Sequence, residues 1–365
     1  MTRAKSLRRA TLLALCAAAL LHLLMQLMVF PPTHWGRTDV HRDVTYVYTA
    51  AERVRTGQPL YWPWADYGPH VHTEAGPPYP FDRHPYPPPL ATVLAPATTL
   101  PFATFARLWY VPLLLAFWVY AWCLARLALE RADVWRVLIV GLILSLFPGT
   151  YRVLSLGQVD PILWALFGLA MVVPALRGAA FAASAAVKLY AGWPLLFAVK
   201  REGRRVLLPA AAVFAAAFLV SGVMLGFDIF FTWTRYMLPV ISQGTFNADN
   251  VSISFAGLRL ARLLGWDYVP GPLPLAARMY LTVVGIAAPL AAGWLTRSAR
   301  PTAQYSLVGC AAVLFAPLCW SSYLPLLLVP MAVGVCVWRE RRGRNGPIGV
   351  NTTERDSRDV SSVST

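Results

Sequence analysis

Lys200-Arg201-Glu202-Gly203-Arg204-Arg205 runs straight into Val206-Leu-Leu-Pro-Ala-Ala-Ala-Val-Phe-Ala-Ala-Ala-Phe-Leu-Val-Ser-Gly-Val-Met-Leu-Gly226. The second stretch has 21 residues and no charge. As an α-helix rising about 1.5 Å per residue it covers about 31 Å, the thickness of a bilayer's hydrocarbon core. The basic cluster before it is what a cytoplasmic loop carries under the positive-inside rule. These 27 residues therefore predict a transmembrane helix that starts inside and ends outside.

The rest of the chain repeats the pattern. Of 365 residues, 57% are hydrophobic and only 13% charged, and the mean hydropathy is +0.52. That much apolar surface belongs in a bilayer, where backbone groups must be satisfied within each segment, so the fold class is an all-α polytopic membrane protein. A basic head (residues 2–9) precedes an apolar run to Phe30 that reads as an uncleaved first helix. Further apolar segments lie near 88–102, 107–128, 136–149, 158–175, 178–199, 275–296, 303–318 and 321–338, with a shorter helix near 254–264. The count is about ten spans.

Starting inside, the count sets the basic clusters 200–205, 297–300 and 339–344 in the cytoplasm and the polar loops 31–86 and 227–253 outside. It also leaves Gln158 and Asp160 on the cytoplasmic side. One multispanning domain, 1–342, is followed by a Ser/Thr/Arg/Asp/Gly-rich tail, 343–365, that reads as a disordered cytoplasmic segment. Both termini are expected inside. The net charge of +15 would raise nucleic-acid binding in a soluble protein, but here it sits in short clusters between spans, which excludes that class. The five cysteines have no paired spacing and read as small core residues.

The outer loop 31–86 holds five of the six histidines. Val44, Val47, Tyr48, Ala51 and Val54 recur at helical spacing, opposite Arg42, Glu52, Arg53 and Arg55, until Gly57 ends the pattern. This predicts an amphipathic helix lying on the membrane or on the bundle, with Asp43 at its start. Asp43 can serve as its cap, and Asp39 or Asp43 can serve as a general base if held within reach of a hydroxyl. His41 and Arg42 beside them suit a phosphate or sugar. His70, His72, Asp82 and His84 form too weak a pattern for a metal site, and no metal or other cofactor is expected. Lys188 lies inside an apolar run, so it faces a cavity or a partner, with Asp160 a candidate.

Asp43-Val-Thr-Tyr-Val-Tyr48-Thr-Ala50-Ala51, then Gly57 and Tyr61, resembles the opening motif of glycosyltransferase family 87. Tyr86-Pro-Pro-Pro89, Gly157-Gln-Val-Asp160, Lys188-Leu-Tyr190, Asn250-Val-Ser252 and Pro317-Leu-Cys-Trp320-Ser-Ser-Tyr323 are similar to later pieces of that family in the same order. The resemblance implies a hexosyltransferase of the multispanning GT-C class. It would transfer a sugar, mannose foremost, from a polyprenyl-phosphate donor to a glycan or glycolipid of the cell envelope. The reaction would be one inverting displacement at the outer face of the cytoplasmic membrane.

The resemblance implies Asp43 as the catalytic base, with Asp39 its competitor. Arg42, Lys188, Arg235 and Arg259 are the candidates for the donor phosphate. His41, Tyr48, Asn250, Ser252, Trp320 and Tyr323 are the candidates for the sugar or acceptor. The chain departs from the family where Ser321-Ser322 stand in place of a histidine. Two alternatives remain: the same chemistry with another sugar such as arabinose, and a transporter or flippase for a lipid-linked saccharide.

Overall fold

The computed structural model describes residues 43–61, 84–129, 131–242, 250–265 and 273–344, with Thr11, Leu13, Ala14 and Ala17 of the first apolar run. The rest of the expected first helix, Asp39, His41, Arg42 and the tail beyond Arg344 lie outside the described residues. So do His70, His72 and Asp82.

The described residues are helical, without a strand; Asn250 and Trp320 form one isolated antiparallel bridge. In chain order the helices are α1 (Asp43–Thr56), α2 (Pro88–Leu94), α3 (Phe102–Leu129), α4 (Val134–Ser145), α5 (Pro148–Leu156), α6 (Asp160–Val172), α7 (Arg177–Val187) and α8 (Gly192–Glu202). They continue with α9 (Arg204–Leu225), α10 (Ile229–Tyr236), α11 (Leu238–Ile241), α12 (Ile253–Leu263), α13 (Leu275–Leu295), α14 (Pro301–Leu314) and α15 (Leu328–Arg344). Short 3-10 turns at Ala95–Thr99, Leu189–Ala191 and Ser321–Leu327 join some of them.

Four helical stretches are long and apolar enough to cross a membrane: Phe102–Leu129, Arg204–Leu225, Leu275–Leu295 and Ser321–Glu340. Helix α4 with the bent continuation Gly149–Leu156 makes a fifth if the pair, turned through 84°, counts as one. Phe218, Leu219, Val223, Met279 and Val283 are exposed on α9 and α13, as lipid-facing residues are.

The expected span at 88–102 meets something different. Pro88 and Pro89 start a seven-residue helix, and Pro96 and Pro101 break its continuation, leaving α2 and the five-residue turn Ala95–Thr99. Proline lacks the N–H a helix interior needs. Seven residues reach about 10 Å, far short of a crossing.

Polar contacts sort the remaining helix ends into two groups. At one end Arg177 donates to Glu202 at 2.5 and 2.6 Å and Tyr305 donates to the same carboxylate at 2.7 Å. Arg201 reaches Ala299 O at 2.8 Å, Arg300 pairs with Glu340, and Arg339 reaches Ala128 O at 3.1 Å. This end gathers the basic clusters. At the other end Tyr48 donates to Leu100 O at 3.1 Å, Trp109 to Gly157 O at 2.9 Å, and Lys188 to Asp160. Thus α6 runs from the second end to the first and α7 returns. Where α7 passes α9 the helices meet so closely that a Cβ on Gly178 would lie 2.1 Å from Val206 O.

Phe117, Tyr120, Trp164, Phe167, Phe181 and Tyr305 fill the bundle centre. Helix α1 sits between that bundle and the layer formed by α2 and α10. Val44 and Val47 pack with Phe105, Trp109 and Leu163, while Ala50 and Val54 pack with Ala91, Ala95 and Trp233. Arg55 donates to Thr98 at 3.0 Å and Tyr61 to Tyr86 O at 2.7 Å, pinning α1 to the segment after it. The amphipathic helix expected at this position is therefore packed against protein.

Candidate functional site

Asp43 opens α1, and its carboxyl lies beside the Gln158 side chain. That contact depends on the turn between α5 and α6. Gly157 ends α5 in the left-handed region (φ 66°), with Gln158 N returning to Val153 O at 3.0 Å. A Cβ on Gly157 would lie 2.9 Å from Val44 Cβ, one residue from Asp43. Glycine thus serves twice, for its φ and for the close approach of α1. Gly157→Ala is expected to push α1 away and cut activity several-fold with a lowered Tm, checked by transfer assay and thermal unfolding.

Two residues beyond Gln158, Asp160 begins α6 fully buried. Lys188 sits where α7 breaks into the 3-10 turn Leu189–Ala191, with extended backbone (φ −139°, ψ 118°). Its Nζ donates to Asp160 Oδ1 at 2.7 Å, Oδ2 at 2.9 Å and Tyr323 Oη at 3.2 Å. The ammonium has three N–H donors, so this set engages all of them. It also stands 4.2 Å from the Tyr323 ring centroid and 5.3 Å from that of Tyr86, while the Tyr190 ring lies tilted by 40° against that of Tyr323 at 5.7 Å. Asp43, Gln158, Asp160 and Lys188 therefore form one cluster. This corrects the reading that set Gln158 and Asp160 on the opposite side from Asp43; before α6, the helix α2 expected as a span has only seven residues.

Burial raises the Asp43 pKa from 3.8 to about 6, and the Asp160 charge adds to the rise. Lys188, the Gln158 side chain and Arg152 oppose it. The carboxyl is thereby tuned close to neutrality, where a general base works best. Arg152, on α5 one turn before Gly157, is a cation that the sequence reading did not single out. The polar side-chain atoms Gln158 Oε1, Ser184 Oγ, Tyr190 Oη and Ser322 Oγ are buried with no hydrogen-bond partner. Ser184, Tyr190 and Ser322 flank Lys188 and Tyr323 in sequence; such a concentration of unpaired groups is unusual in a native interior.

Other candidates lie apart. Tyr48 points away from Asp43, its ring against Phe102 and Phe105 and its hydroxyl on Leu100 O. The Asn250 Oδ1 accepts from Cys319 N at 2.9 Å and Ser252 N at 3.3 Å, and its Nδ2 donates to Pro317 O at 3.1 Å. Ser252 caps α12 through Phe255 N and donates to Ala316 O at 2.5 Å. Both side chains clasp the 316–320 segment that leads into Tyr323. Trp320 is half-buried at the bridge. Arg235 is exposed on α10 beside Tyr236, and Arg259 lies over Phe255 on α12.

His84 is buried against Tyr86 (5.3 Å, edge to face) and neither ring nitrogen has a hydrogen-bond partner of normal geometry. Burial pulls its pKa to about 3, against a weaker contact with the Pro87 backbone, so it is neutral at physiological pH. Among the described residues no three His, Cys, Asp or Glu side chains converge as metal ligands.

A family model for glycosyltransferase family 87 matches residues 84–321, more than half of the chain. The chain belongs to glycosyltransferase family 87. It is thus a membrane glycosyltransferase, with a sugar donor and an acceptor as substrates. No curated protein and no solved structure matches it. The family 87 match spans Gln158, Asp160, Lys188 and the 317–321 segment but begins after Asp43, which enters through its place among the charges of Lys188, Asp160 and Arg152.

Proposed function

We propose that the protein is a GT-C-type hexosyltransferase that moves mannose from a polyprenyl-phosphate donor to a glycan or glycolipid at the outer face of the cytoplasmic membrane. The observation that carries this reading is the convergence of Asp43, with its pKa near 6, on the Gln158–Asp160–Lys188 cluster inside a family 87 bundle. In the proposed step the acceptor hydroxyl gives its proton to Asp43 as its oxygen bonds to the anomeric carbon. The bond from that carbon to the phosphate oxygen breaks on the opposite side, and polyprenyl phosphate leaves with the electron pair. Inversion follows from the single displacement, with no covalent intermediate.

Lys188 and Arg152, the two cations whose fields reach Asp43, are suited to the departing phosphate. For Lys188 this means exchanging an Asp160 or Tyr323 contact for a phosphate oxygen. Arg42, Arg235 and Arg259 would assist from the surrounding loops and helices, and Asn250 and Ser252 through the backbone they hold. Trp320, Tyr323 and His41 would meet the sugar or acceptor. Tyr48 would act through the packing of α1. The gathering of the basic clusters at the opposite end supports the outer placement of Asp43 and cytoplasmic termini.

The test uses purified protein in liposomes with polyprenyl-phosphate mannose labelled in the sugar, plus a membrane lipid extract as acceptor. Release of polyprenyl phosphate with label on the extract is expected. Movement of intact donor between leaflets without release would instead establish the flippase reading, and turnover with only an arabinose donor would change the sugar.

A further inference from the structure

At the end of the bundle opposite Asp43, a groove of about 290 Å³ lies between α14 and α15. Ala303, Ser306 and Leu307 line it from the first two turns of α14, and Pro330, Val333 and Trp338 from α15. The Ser306 hydroxyl donates to Ala303 O at 3.0 Å, so the walls are apolar. Leu307 and Trp338 are 42% and 53% exposed. At Gly334, also on the lining, a Cβ would meet nothing within 4 Å. From Pro330 to Trp338 the groove follows α15 for about 12 Å, which keeps it within one leaflet. An α-helix, about 10 Å across, would roof such a cleft without entering it, whereas an acyl chain fits inside.

The groove ends where the basic residues gather. Arg300, just before α14, donates to Glu340 at 2.6 Å, which neutralises that acid. On α15, Arg341 and Arg344 follow Val337 by four and seven residues, the helical register of the groove-lining face. Arg297 adds a cation on the turn between α13 and α14, its guanidinium 4.5 Å from the Trp294 ring centroid. An apolar cleft with an excess of arginine at one end is the complement of an amphiphile with an apolar tail and a negative head. We propose that the groove between α14 and α15 seats one acyl chain of an anionic phospholipid of the cytoplasmic leaflet, its phosphodiester headgroup held by Arg341 and Arg344. The leaflet follows from the basic clusters at this end. Neither the sugar donor nor the acceptor enters this site.

The experiment titrates the detergent-purified full chain with phosphatidylglycerol or phosphatidylcholine and counts retained lipids by native mass spectrometry. Wild type is expected to hold one phosphatidylglycerol about 10-fold more tightly than phosphatidylcholine, as two arginines near a headgroup allow. Gly334→Leu projects its side chain into the open groove, and should lose that lipid about 10-fold with Tm unchanged, while Gly334→Ala keeps it. Arg341→Gln/Arg344→Gln should abolish the preference between headgroups, and Arg341→Lys/Arg344→Lys should retain most of it. Wild type without a headgroup preference, or a preference that survives both Gly334→Leu and the double Gln variant, would overturn the proposal. A photoreactive phenylalanine in place of Gly334 is expected to label lipid; cross-linking instead to residues 10–30 or to a second copy would give the groove to that occupant and overturn the proposal as well. Sugar transfer plays no part in these readouts, so failure here leaves the transferase reading standing.

Discussion

Asp43→Asn is expected to lower sugar transfer by about 10²- to 10⁴-fold, the range over which a positioned general base contributes, with the protein still folded. The amide keeps the shape of the carboxyl, so the loss reads the missing base and not a gap in the packing. Asp39→Asn is expected to transfer at close to the wild-type rate; the reverse pair of outcomes would assign the base to Asp39. In wild type the rate should rise with pH through about 6, where Asp43 ionises, and fall below it.

The same shift has a consequence for stability. The folded-state pKa of about 6 lies above the ordinary 3.8, so the fold favours the protonated acid. Stability is therefore lost as pH rises from about 4 to about 6, and the loss is complete above that window. Asp43→Asn removes the ionisation and should match or exceed wild type in Tm at neutral pH. A variant that is inactive and no less stable marks a group held against its own comfort for function.

How much of this was legible in the sequence depends on whether the signal was local. Periodic valines and Gly57 located α1 to the residue, and uncharged runs located α3, α9 and α13, because each signal is contained in one element. The segment 88–102 misled because its Leu, Ala and Val carry no charge between them, while the backbone of Pro88-Pro89 and Pro96 cannot continue a helix across the membrane. The side assigned to Gln158 and Asp160 depended on that count, and the structure sets both beside Asp43 instead. Lys188 was readable as a buried cation with Asp160 a candidate partner, but the saturation of its three donors by Asp160 and Tyr323 depends on pieces 28 and 135 residues away. Asn250 and Ser252 looked like sugar ligands because their types fit; their clasp on residues 316–320 is tertiary and had no local sign.

The second large effect concerns Lys188 and Asp160. Their side chains are 8% and 0% exposed, so removing one partner leaves an uncompensated buried charge. Lys188→Met and Asp160→Asn are each expected to cost about 3–5 kcal/mol of stability, read as a large fall in Tm. Neither single variant separates structure from chemistry, since a loosened α6–α7 hairpin would disable the site in any case. The double variant Asp160→Leu/Lys188→Met does. With both charges replaced by apolar groups of similar size, stability should return to near wild type. The two changes also oppose each other at Asp43, because Asp160 raises its pKa and Lys188 lowers it, so the base stays close to its tuned value. Transfer is expected to remain lost in this stable protein, with a raised KM for the polyprenyl-phosphate donor. That result assigns the pair to the phosphate, since folding and base strength have both been preserved. Wild-type transfer by the double variant would make the ion pair purely architectural and shift the phosphate to Arg152.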